Sequence, residues 1–260
     1  MNQFSVLALK EWREVVRSFK WLWIPIVFIL LGIMEPVITY FLPQILESAG
    51  NMPEDAVFQL PDMTPEQIFL STLGQYQFIG MLVVAFAFSG LIARERKNGT
   101  AAFLYVRPLS YPSYVLSKWA VSSVVLIGSF ILGISASAYY IMLLFGEFSF
   151  TNFLGLVGVY SLWIVLAISL TLLMSALFTP GIATALSLFL IVFFPMIDGL
   201  IFRYWPYTPW KLANYAGMIM VGEASTSDVV WTIAIAVLLI AVCVTLSILI
   251  SKRRAASVTI

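Results

Sequence analysis

The sequence predicts an all-α integral membrane protein with six transmembrane helices. Apolar residues make up 61% of the 260 residues and charged residues only 10%, where a soluble domain carries about 25% charge. Mean hydropathy is +0.98. The apolar residues also gather into runs long enough to cross hydrocarbon, which takes ~20 helical residues at a rise of 1.5 Å each.

The spans follow in order. Runs at 21–42, 73–93 and 115–145 stand apart from one another. A block at 153–202 is too long for one crossing, and Thr179-Pro180-Gly181 divides it into 153–178 and 182–202, as proline and glycine do at turns. The last run, 229–251, stops at Lys252-Arg253-Arg254. Six spans place both termini on one side. With the N-terminus inside, Lys10, Arg13, Arg17, Lys20, Arg94, Arg96, Lys97, Arg107, Lys118, Lys252, Arg253 and Arg254 fall in the cytoplasm, and Arg203 and Lys211 outside. This is the asymmetry of the positive-inside rule. The segment between spans one and two carries Glu47, Glu54, Asp55, Asp62 and Glu66 without a Lys or Arg, and reads as an acidic, proline-containing external loop with a short helix from Pro65. The first twenty residues lack a cleavage pattern and read as retained. There is no internal repeat, so residues 1–260 read as one membrane domain.

Some chemistries are excluded by composition. The chain has no histidine and one cysteine, Cys243, which removes His-based triads, histidine zinc sites and internal disulfides. No G-x-x-x-x-G-K-[ST] phosphate loop occurs. A net charge of +1 without a basic arm offers nothing to nucleic acid. The chain by itself therefore reads as no enzyme, with no cofactor or metal of its own.

Residues 3–20 form an amphipathic pattern. Phe4, Leu7, Ala8, Trp12, Val15, Val16 and Phe19 recur at helical spacing, with Lys10, Glu11, Arg13, Glu14 and Arg17 assigned to the other face. Such a helix lies in the membrane interface; the plainer alternative is a charged flank that orients span one.

The segment between spans two and three is the most informative. Arg94-Glu95-Arg96-Lys97-Asn98 leads to Gly99-Thr100, a turn and helix cap, then to an apolar helical turn with Phe103, Leu104 and Tyr105, ended by Pro108. Exposed, that turn could dock into a groove on another protein. The order Glu-basic-x-x-Gly-Thr, a short apolar helix, Pro-x-Ser and a later Lys (Lys118) resembles the permeases of ATP-binding-cassette exporters of the type-two group. The span count, in–in topology and N-terminal helix resemble them too. Two positions depart from that pattern: Ala101-Ala102 stand where Leu-Glu is common, and Tyr111 where Arg usually follows the Ser.

The resemblance implies a permease in the bacterial cytoplasmic membrane that forms its pathway as a dimer with a second copy or paralogue. Spans one, two and five would line the dimer interface. Two separate ATPase subunits would carry ATP and Mg, and Arg94, Glu95, Arg96, Lys97, Gly99, Thr100, Phe103, Leu104 and Pro108 would couple them to the membrane.

Ionisable residues inside spans are costly and point to function. Glu35, beside Pro36, and Asp198, beside Gly199, both lie in the outer halves of their spans. They are candidates for the transport path; hydration at the interface, with Asp198 paired to Arg203, is the structural alternative. Tyr204, Trp205, Tyr207 and Trp210 read either as an aromatic belt or, by the resemblance, as part of an exit gate. Ser129, Gly133 and Ser137 repeat every four residues and predict a close helix contact. The competing function is an ion- or proton-coupled carrier using Glu35 and Asp198. It lacks the paired interrupted helices of such carriers.

Overall fold

In the computed structural model, residues 3–48, 63–99, 110–200 and 204–256 are described. Their regular structure is all helical, with no strand among the described residues. Six helices are long and apolar enough to cross a membrane: Lys20–Ile45, Pro65–Lys97, Tyr111–Leu144, Phe150–Leu177, Pro180–Leu200 and Thr226–Arg254. We number them spans one to six. An N-terminal helix, Gln3–Arg17, precedes them, and a short helix, Leu212–Val221, lies between spans five and six.

The boundaries differ from the sequence reading in instructive places. The N-terminal helix stops at Arg17, because Phe19 turns left-handed (φ 55°) and breaks it from span one. The short helix expected from Pro65 runs unbroken into span two, since nothing between Pro65 and Phe88 interrupts the backbone ladder except a π-helical stretch, Tyr76–Gly80. Span five has the same feature at Phe189–Phe193. The break at Thr179-Pro180-Gly181 is where the sequence places it, with span four ending at Leu177 and span five starting at Pro180.

Span four is the hub. In its most apolar stretch 72% of residues are buried, against 28% for span one and 22% for spans five and six. Lipid offers helices no hydrophobic reason to associate, so shape decides the packing. Spans one and three touch backbone to backbone through Gly32 and Gly133. A Cβ on Gly32 would sit 2.2 Å from the Gly133 carbonyl oxygen, and one on Gly133 would sit 2.5 Å from that of Phe28. Ser129 and Ser137, the rest of the predicted small-residue stripe, are buried with it. Beside this contact stands an aromatic stack. Phe28 lies on Tyr76 at 5.3 Å and Phe130 on Tyr160 at 4.6 Å, while the Tyr76 hydroxyl donates to the Phe28 carbonyl at 2.9 Å.

The molecule has a basic end, where the N-terminal helix, Ala93–Lys97 and the end of span six meet, and an opposite end capped by Leu212–Val221. The cross helix Leu212–Val221 is wedged between span four and the start of span two. Gly155 admits Ile219, Gly217 admits Leu70, and Gly222 (φ 83°) closes the helix in the left-handed conformation that favours glycine.

Candidate functional site

At the basic end the helical period puts Leu7, Glu11 and Val15 on one stripe, and that stripe is the buried face of the N-terminal helix. Glu11 is therefore not on the solvated face to which the charge pattern assigned it; it is only 4% exposed. A buried carboxylate persists only when paired. Lys118 of span three, itself 1% exposed, supplies the charge, donating to both Glu11 oxygens at 2.9 and 3.0 Å.

Lys118 also reaches Glu95 at 3.0 Å, Lys10 meets Glu95 at 2.6 Å and Glu11 at 3.2 Å, and the Tyr114 hydroxyl donates to Glu95 at 2.5 Å. Burial opposes the charge on Lys10, yet Glu11 and Glu95 outweigh it and hold the ammonium above the ordinary lysine range. Carboxylate oxygens of Glu11, Glu14 and Glu95 converge within 4.8 Å, and the two lysines answer that negative charge. One cluster thus fastens three elements: the N-terminal helix, the segment Ala93–Lys97 and the head of span three.

The same segment is fastened to span four. Ser175 Oγ accepts from the amides of Ile92 and Ala93, each at 3.0 Å. Arg96 donates to the carbonyls of Ala176 (2.8 Å) and Phe178, and Arg254 of span six to that of Leu177 (2.5 Å). These are the carbonyls a helix leaves without partners at its C-terminus, where positive charge is also favoured by the helix dipole.

The predicted coupling residues therefore separate by role. Glu95 and Arg96 anchor the segment, and Arg94 packs across Gly90. Lys97 is exposed and, with Arg96, Thr179, Pro180 and Gly181, lines an open cleft of about 410 Å³. Gly99 makes the predicted turn, left-handed at φ 73°. Thr100, Phe103, Leu104 and Pro108 lie outside the described residues.

At the opposite end the predicted residues fall into two groups. Glu35 accepts a hydrogen bond from Gln75 of span two. Asp198 is 6% exposed and accepts from Thr208 Oγ1 at 2.6 Å; its ion-pair partner is Lys211 at 3.8 Å. Arg203, the partner considered from sequence, lies outside the described residues. Lys211 is fully buried and also donates to the Trp205 carbonyl. Tyr204 and Trp205 project outward, 84% and 64% exposed, and Tyr207 is exposed to a lesser degree. Trp210 instead packs on Phe194 at 4.6 Å and donates from its indole to the Leu190 carbonyl at 2.8 Å.

The neighbouring carbonyl, Ile191, accepts from Gln77 Nε2 at 3.0 Å. The cause lies in span five's own sequence: Pro195 stands four residues after Ile191 and five after Leu190, and has no N–H to offer either. Side chains from outside the helix take up both acceptors, as hydrocarbon requires. Between spans two and five and the cross helix lies a cleft of about 620 Å³, walled in part by Gly74 and Gln77, Met196 and Gly199, and Asn214 and Met218.

A family model described as ABC-2 family transporter protein matches residues 5–254. The chain belongs to the ABC-2 transporter family. It is also similar to an uncharacterized transmembrane protein, YxlG, of Bacillus subtilis (strain 168), with 34% identity over 186 residues that cover 71% of this chain and 72% of that protein. The ABC-2 assignment makes the chain a transporter's membrane component, and ABC-2 permeases work in general with ABC ATPase partners. Sequence reasoning missed Glu11, Gln77 and the fastening role of Arg254 in this ABC-2 chain. Only Glu11 carried a signal: it shares the four-residue spacing of Leu7 and Val15.

Proposed function

We propose that this chain is the permease subunit of an ATP-driven exporter in a bacterial cytoplasmic membrane, with both termini cytoplasmic. Two such subunits, identical or paired with a paralogue, form the pathway. Two separate ATPase subunits bind ATP and Mg and dock on the segment that begins at Arg94. ATP binding draws the ATPases together and reorients the spans; hydrolysis resets them.

The observation that carries this reading is the cluster of Glu11, Lys118, Glu95 and Lys10. It supports coupling because the segment entering the docking loop is tied to the N-terminal helix and span three by ion pairs, and to span four by Arg96. A displacement imposed on that loop is then shared among elements that reach the membrane, where packed interiors transmit rather than absorb strain. Of the candidate path residues, Glu35 and Asp198 keep hydrogen-bonded partners, which is how charge is tolerated within spans.

The test is co-purification of the chain with an ABC ATPase, followed by vanadate-sensitive hydrolysis in the complex. Gly99→Val or Phe103→Ala should abolish stimulation of that ATPase while leaving the permease folded. Full stimulation in both variants would refute the coupling mechanism, and a chain that transports on an ion gradient without an ATPase would replace it with the carrier.

A further inference from the structure

The N-terminal helix carries Lys10, Glu11, Arg13, Glu14 and Arg17, and the structure divides these charges between two sides. Lys10, Glu11 and Glu14 belong to the inner cluster. Lys10 and Lys118 each pair with Glu11 and Glu95, and the Glu14 carboxylate lies within 4.8 Å of those of Glu11 and Glu95. Glu11 and Glu14 also share a small cavity wall with Lys20. The carboxylates of Glu11, Glu14 and Glu95 thus stand against the ammonium groups of Lys10, Lys20 and Lys118. The inner cluster is balanced.

Arg13 and Arg17 stand outside that balance. Both are exposed, and neither has a hydrogen bond or ion pair among the described residues. Four positions apart, they are neighbours on one edge of the helix. With Val6, Leu9 and Ser18 they border an open groove of about 660 Å³.

The strip beside the arginines is apolar and uncovered. Leu9, Trp12, Val16 and Phe19 are all exposed, and just beyond them Trp21, Leu22 and Trp23 begin the exposed side of span one. The strip is therefore continuous with a surface that lies in hydrocarbon, and the arginine edge borders it where the span begins. In a bilayer that level is the headgroup layer. An acidic soluble protein would answer the arginines but leave the rest of this apolar surface unserved. A leaflet with negative headgroups satisfies both edges. The planar guanidinium also matches phosphate with two parallel hydrogen bonds.

We propose that the N-terminal helix selects anionic lipids, Arg13 and Arg17 holding the headgroup phosphates while Trp12, Val16 and Phe19 enter the acyl boundary. The contact needs neither ATP nor an ATPase, so it stands or falls separately from the exporter reading.

The test places the photoreactive residue p-benzoylphenylalanine at Leu9 of the full-length chain, in nanodiscs of equal parts phosphatidylglycerol and phosphatidylcholine. Lipid adducts are identified by mass spectrometry. Phosphatidylglycerol adducts should outnumber phosphatidylcholine adducts by about fivefold or more, since each arginine near an anionic surface contributes about 1 kcal/mol. Arg13→Gln combined with Arg17→Gln should bring the ratio close to one. Lys252→Gln combined with Arg253→Gln removes two exposed charges at the end of span six and should leave the ratio unchanged. A native ratio near one, or one that the arginine pair does not move, would overturn the site. An equal fall in the span-six pair would assign the preference to the charge of the whole end and overturn it too. The same probe irradiated in intact cells tests the other occupant. Adducts to a second polypeptide in place of lipid would show that a protein covers this face, which would also overturn the proposal.

Discussion

Gln77 on span two donates to the backbone carbonyl of Ile191 on span five at 3.0 Å. The bond exists because Pro195, four residues on, deprives that carbonyl of its helical donor. A defect in one helix has become a specific joint with another. The Trp210 indole repeats the arrangement at Leu190.

The joint predicts a non-additive mutant cycle. Gln77→Leu leaves the Ile191 oxygen without a donor in an apolar setting, a loss of about 1–3 kcal/mol. Pro195→Ala restores an N–H within the helix. In the Pro195→Ala background, Gln77→Leu should therefore cost less, by about 0.5–3 kcal/mol of coupling. Thermal unfolding of the four variants in detergent measures the difference; strict additivity would show that the proline does not create the need for Gln77.

The buried pair at the basic end predicts asymmetric costs. Lys118→Met leaves the buried Glu11 with only Lys10, which it shares with Glu95, and should destabilise by about 3–5 kcal/mol. Glu11→Leu combined with Lys118→Met removes both buried charges and should recover much of that loss. Equal instability of the single and double variants, read by thermal unfolding, would mean that the pair matters for its packing and not for its charge.

Lys10 predicts a dependence on alkaline pH. Its ammonium is held above the ordinary value of 10.5 by Glu11 and Glu95 in spite of partial burial. A raised folded value means that its contribution is complete below pH 10.5 and fades as pH climbs through the folded value. The stability gap between the native chain and Lys10→Met should be flat through neutral pH and narrow only above that point. A gap that narrows between neutrality and pH 10.5 would contradict the raised value. The lysine side chain is 39% exposed, so the gap itself is modest.

Much of the architecture is legible in the sequence for a simple reason. Hydrocarbon demands long apolar helices whatever their neighbours do, so the six spans, the break at Thr179-Pro180-Gly181 and the turn at Gly99 can be read residue by residue. The Ser129–Gly133–Ser137 stripe is legible too, because small residues at four-residue spacing are what close helix approach requires. The partner of that stripe is not. Gly32 is one glycine in a helix with three prolines, and only packing selects it.

Glu11 marks the limit from the other direction. Only its four-residue spacing from Leu7 and Val15 separates it locally from Glu14, one turn along the same helix, yet one is buried against Lys118 and the other is exposed. The difference depends on which face of the helix meets span three. Likewise Asp198 chose Lys211, a residue thirteen positions away, because the stretch that carries Trp210 packs back against span five. The sequence alone determined that this chain lives in a membrane and where it crosses, since the solvent imposes that on every segment independently. Tertiary structure alone decided which buried charges, glycines and proline-freed carbonyls find one another, since each is satisfied only by a group from a distant segment.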